Sequence, residues 1–160
     1  MFGAGATGGR IDGRNRSRYN DDLTRTQLRS VIMPLDYEIE DDLVILRARG
    51  DVTNEDHQVV FAEVVKDGRF RKKSKVLLFD KGGRYAPTLS ESVDLVTLIK
   101  EYQEANFDRF AVLVTGLLHW SIGRMVAAFA VLSNVEFRVF RDEEIARKWL
   151  YEDSESSTDV

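Results

Sequence analysis

The side chains best suited to chemistry in this chain are two imidazoles, His57 and His119, and four polar residues, Asp51, Asp80, Thr115 and Arg141, each following an apolar, strand-like run. In an open α/β sheet the carboxyl ends of the strands form the rim where ligands bind, so the four polar residues mark one candidate edge. An aspartate at such an edge can accept a phosphoryl group with a nearby hydroxyl as its switch, which casts Asp80 as acceptor and Thr115 as partner. That phospho-receiver reading requires an acidic pair at the first strand end, a further βα unit before the acceptor and a lysine after the last strand. Only one βα unit separates Asp51 from Asp80, and position 141 is Arg. A hydrolase-like pairing of His119 with Asp80 or Ser121 is conceivable, but the spacing does not demand it. Two histidines about 60 residues apart make no metal signature, and the absence of cysteine removes thiolate nucleophiles, disulfides and sulfur-ligated metals. No catalytic residue, metal or cofactor is therefore expected. His57 falls in an acid-rich first helical turn and is expected to face solvent.

These groups must be positioned by one ordinary domain, since 160 residues suffice for a single sizeable core. Residues 1–30 are Gly- and Arg-rich without periodicity and read as a disordered arm, residues 31–151 as one α/β domain, and residues 152–160 as a disordered acidic tail. The literal G-x-G-x-x-G at Gly3, Gly5 and Gly8 has only two residues before it, too few for the strand that would aim a helix at a pyrophosphate. Charge is uneven: residues 1–34 carry +3, residues 35–150 carry −3 and the tail −4. A mildly acidic body argues against a nucleic-acid partner. The leader lacks the apolar stretch of a secretory signal and no run is long enough to span a membrane, so a cytoplasmic location is the expectation.

Within the domain, Leu35–Glu40 and Leu43–Arg49 flank the tight turn Asp41-Asp42 and read as an antiparallel hairpin. Thr53-Asn54-Glu55-Asp56 and Thr88-Leu89-Ser90-Glu91 have capping-box spacing. The helices they open place Val60, Phe61, Val64 and Val65, then Leu95, Leu98, Ile99 and Tyr102, on single faces. Val76–Phe79 is an unbroken apolar run of the kind buried on both faces of a parallel sheet. A strand at Phe110–Thr115, an almost wholly apolar helix from about Trp120 to Ser133, a strand at Val135–Phe140 and an amphipathic helix with Ile145, Ala146, Trp149 and Leu150 inward complete the order. The expected fold is α/β, a mixed, mainly parallel five-stranded sheet with about four helices.

The closing run Phe137-Arg138-Val139-Phe140-Arg141-Asp142-Glu143-Glu144-Ile145-Ala146-Arg147-Lys148-Trp149-Leu150 resembles the end of the SpoIIAA-like proteins, small bacterial STAS-type domains related in shape to the CRAL-TRIO fold. Gly123-Arg124-Met125 and the strand ending in Asp80 resemble two further elements of that family. The resemblance implies a helix-covered sheet with no established catalysis and a role in binding, regulatory through a protein partner or a homodimer. In STAS domains that switch partners, a phosphorylatable serine sits in an Asp-Ser-Ser-Gly element. The matching stretch here, Ala86 to Ser92, offers Ser90 as the possible phosphosite but lacks the flanking Asp and Gly. The alternative is binding or carriage of an apolar, lipid-like molecule. The helix from Trp120 to Leu132 is apolar over more than one stripe, which fits a central helix covered on most sides; the alternative is that one side lines a pocket or an interface. The candidate binding residues are Asp80, Tyr85, His119, Trp120, Arg124 and Phe129, with Arg124 holding an acidic head group and Tyr85 closing over it.

Overall fold

The computed structural model describes residues 33–152 except 82, 84 and 85. The expected arm (1–30), the expected tail (152–160) beyond its first residue, and Tyr85 lie outside the described residues. The elements are β1 (Leu35–Glu40), β2 (Leu43–Ala48), α1 (Asn54–Lys66), β3 (Ser74–Asp80), α2 (Leu89–Ala105), β4 (Phe107–Val114), α3 (Leu117–Leu132), β5 (Phe137–Phe140) and α4 (Glu143–Tyr151). β1 turns into β2 through Asp41, whose φ of 52° is one that aspartate tolerates better than most residues. The hairpin is antiparallel, with Glu40 opposite Leu43 and Leu35 opposite Ala48. β2, β3, β4 and β5 are parallel and lie in sequence order, so the sheet is β1-β2-β3-β4-β5. The sheet is the expected one, and the described residues hold four helices, as expected.

Three parallel crossovers stepping in one direction put α1, α2 and α3 on the same face of the sheet when each is right-handed. Alternate strand residues, Val44, Leu46, Val76, Phe110 and Val112 among them, meet those helices in the main core. The opposite residues Leu43, Ile45, Leu77 and Ala111 are covered by α4 through Ala146, Trp149 and Leu150. Both faces are thus buried, which is why β2 and β3 read as continuous apolar runs rather than alternating ones. Ile145 departs from expectation: it is 59% exposed, because the inward stripe of this short helix is already set by residues 146, 149 and 150.

Capping fixes the helix phases. Thr53 and Thr88 each accept from the backbone N–H three residues on, at Asp56 and Glu91, and those acids return a bond to the threonine N–H. The phase of α3 is set instead by packing at Gly123, where an added Cβ would stand 2.9 Å from Val139 Cγ1 and 3.1 Å from Cγ2. Gly123→Ala should therefore cost about 1–3 kcal/mol, as overpacking does, and urea melts would show it. An unchanged midpoint would mean that α3 moves off β5 without penalty.

Candidate functional site

Between the sheet and α1, α2 and α3, toward the carboxyl ends of β2, β3 and β4, lies a cavity of about 140 Å³. Its walls are apolar, with Leu46, Val76 and Phe110 from the strands, Phe61 from α1, Ile99 from α2 and Val126 from α3. Its mouth is polar. Asp51 and Asn54 enter after β2, Asp80 and Gly83 at and after the end of β3, His57 from the first turn of α1 and His119 from the first turn of α3.

His119 stands at the centre of this mouth. Its Nε2 lies 3.0 Å from the Gly83 carbonyl oxygen, which can only accept, so Nε2 is the donor. Its Nδ1 lies 3.4 Å from Asp80 Oδ2, a contact that becomes an ion pair when the ring is protonated. Gly83 is required for this placement, since a Cβ there would come within 2.7 Å of the Gly50 carbonyl and overlap the Asp51 carboxylate. The Asn54 side chain donates to the Glu91 carbonyl at 2.8 Å and ties the start of α1 to the start of α2 beside the mouth.

His57 lies half-buried on the cavity wall, with its ring centre 6.0 Å from that of Phe61. It does not point into solvent as its acidic neighbours suggest. Nδ1 is turned back onto the Thr53 carbonyl at 2.9 Å and donates to it. Burial disfavours the imidazolium and holds the ring neutral below the ordinary 6.5, against the weaker pull of Thr53, Asp56 and Asp80. The unfolded chain then takes up the proton first, so the stability this ring leaves intact above pH about 6.5 is lost as pH falls toward the folded-state value. Urea midpoints should drop as pH falls below about 6.5, and His57→Phe should flatten that drop. Equal slopes in both proteins would remove His57 from the acid response.

Of the residues singled out in the sequence, Asp51, Asp80, His57 and His119 are brought together at this mouth. Trp120 and Arg124 are not. On α3 the positions His119, Ile122, Gly123 and Val126 face the cavity, whereas Trp120, Arg124, Ala127 and Val131 form a second stripe along a shallow groove beside β5. There the Arg141 guanidinium sits 4.7 Å from the Trp120 ring centre. Arg124 is thus about one residue's helical rotation away from the cavity and does not stand where an acidic head group in it would lie. Phe129 is half-buried against the main core. Ser90 is exposed in the first turn of α2, inside the Thr88–Glu91 capping box, and Thr115 is exposed beyond β4. The sequence reading turned His57 toward solvent and gave Asn54 and Gly83 no role in a site. The signal for His57 was present, since it lies four residues before the inward Phe61 and so on the same helical face.

The sequence matches the family model for SpoIIAA-like proteins over residues 43–151, and the chain belongs to that family. It is similar to an uncharacterised protein with a SpoIIAA-like fold from Shewanella loihica PV-4, at 22% identity over 72% of this chain and 91% of that one, with a TM-score of 0.48. It is also similar to the protein TM1081, whose structure was solved by NMR, at 20% identity over 76% of this chain and 90% of that one, with a TM-score of 0.47. No protein of curated function matches the sequence. Among the described residues no helix is long and apolar enough to cross a membrane.

Proposed function

We propose that the chain is a non-catalytic binding domain whose ligand is a small apolar molecule held between the sheet and α1, α2 and α3. The observation that supports this is the cavity of about 140 Å³, apolar along its walls and polar only where it opens at the carboxyl end of the strands. Ligand sites have this composition, a mostly apolar lining with a few convergent polar groups, and in open α/β sheets they occupy this place. The test is titration of the full chain with toluene, followed by methyl NMR. Resonances of Leu46, Ile99 and Val126 should move while that of the surface residue Leu132 stays. No movement at the three wall residues would overturn the reading.

A second reading, a protein partner or a second copy seated on the outer side of α3, is favoured by Leu117 and Leu132, which are 77% and 84% exposed, with Leu118 and Val131 beside them. Self-association detected by sedimentation and abolished by Leu132→Glu would support its homodimer form. A monomer at all concentrations would exclude that form.

A further inference from the structure

We propose that the cavity takes a single-ring molecule bearing a hydroxyl group, a phenol in the simplest case, with the ring among the apolar walls and the O–H donated to Nε2 of His57. This rests on the ligand-binding reading above and adds the chemical class of the ligand.

Size sets the first limit. An apolar cavity of about 150 Å³ takes up benzene, and this one, at about 140 Å³, is of the same scale. That is the scale of one six-membered ring and too small to enclose a long acyl chain, so the lipid-like occupant expected from the apolar helix narrows to a compact one.

Charge sets the second. Among the described residues lining the cavity are the carboxylates Asp51 and Asp80, and neither lysine nor arginine. Arg124, the guanidinium expected to receive a carboxylate or phosphate, lines the groove beside β5 instead. The described lining therefore offers an anionic head no permanently charged cation.

Direction sets the third. The Nδ1 proton of His57 is committed to the Thr53 carbonyl, and the neutral ring has one donor and one acceptor nitrogen. The acceptor is then Nε2, to which no described protein group bonds, on a side chain that lines the cavity. A hydroxyl, which donates, completes this site; a ketone or aldehyde, which only accepts, leaves the nitrogen unmatched.

Calorimetric titration of the full chain with toluene, 4-methylphenol and benzoate tests this. One added hydrogen bond of ordinary net strength predicts that 4-methylphenol binds about fivefold tighter than toluene, and that benzoate binds at least tenfold weaker than 4-methylphenol. In His57→Phe the advantage of 4-methylphenol over toluene should vanish. In wild-type protein labelled with ¹⁵N-histidine, 4-methylphenol should shift the His57 Nε2 resonance and toluene should not, a readout that does not depend on a variant folding. Toluene binding with no gain for 4-methylphenol, a gain that survives in His57→Phe, or an unmoved Nε2 resonance would each overturn the hydroxyl assignment and leave the apolar cavity standing. Benzoate binding as tightly as 4-methylphenol would overturn the charge argument. Failure of both neutral rings to bind would overturn the ligand-binding reading itself.

Discussion

Phe107→Ala is expected to destabilise the chain by about 3–5 kcal/mol, the range for deleting a fully buried phenylalanine from a core that cannot collapse around the gap. Phe107 opens β4 with no exposure. Its ring lies 5.4 Å from Phe70 and from Phe110, 5.8 Å from Phe61 and 6.3 Å from Tyr102. These partners come from α1, the loop after α1, α2 and β4 itself, so no single element can move into the vacated space. The Phe70 and Phe110 contacts are edge-on, which adds to simple area burial. With domain stabilities of about 5–15 kcal/mol, the variant should unfold at markedly lower urea, measured by circular dichroism. β4 runs from Phe107 to Val114, about 20 Å at the usual strand rise, and the cavity mouth lies at its far end. The mouth is thus spared, but Phe61 and Phe110 also wall the cavity, so the folded fraction should show an altered response to toluene. A loss below about 1 kcal/mol would mean that this aromatic cluster is not the keystone between α1, α2 and the sheet.

Much of this architecture was legible because parallel strands buried on both faces leave apolar runs that hardly alternate, as Val76, Leu77 and Leu78 do. The capping boxes at Thr53 and Thr88 likewise placed α1 and α2 to the residue. Boundaries slipped where the local signal conflicts with the tertiary setting. β4 begins at Phe107 rather than Phe110 because Asp108 and Arg109 interrupt the apolar run. Arg109 is nonetheless buried: its Nη1 donates to the Trp149 carbonyl at 2.9 Å and its guanidinium lies 5.5 Å from the Trp149 ring centre. α3 starts at Leu117, ahead of the expected Trp120, because its N-cap Gly116, at φ 86°, offers no side-chain cap to read. The site was half legible. Asp80 follows from the rim rule, and His119 from its place at the head of α3. The cavity could not be read, since it arises from the sum of side-chain sizes contributed by seven separate elements, and no local pattern encodes that sum.

The same dependence on summed size makes Ala48→Leu the sharpest change at the cavity itself. Ala48 ends β2, pairs with Asp80 of β3 and is buried on the face turned to α1, α2 and α3, where it lines the cavity. Three added carbons directed into that space gain about 0.8 kcal/mol each if the space is empty, against about 1–3 kcal/mol of strain if it is already filled. The two situations give opposite signs. With the cavity present, the variant should melt at or above the wild-type temperature. Toluene affinity should fall at least tenfold, because a ring and a leucine side chain cannot share a volume sized for one ring. A loss of about 2 kcal/mol or more, with toluene affinity unchanged, would show that Ala48 is already closely packed and that the polar cluster of His57, Asp80 and His119 closes over a filled core rather than opening into a pocket. Stability and binding measured on one variant thus separate a domain built to hold a ligand from one whose carboxyl rim merely ties its helices together.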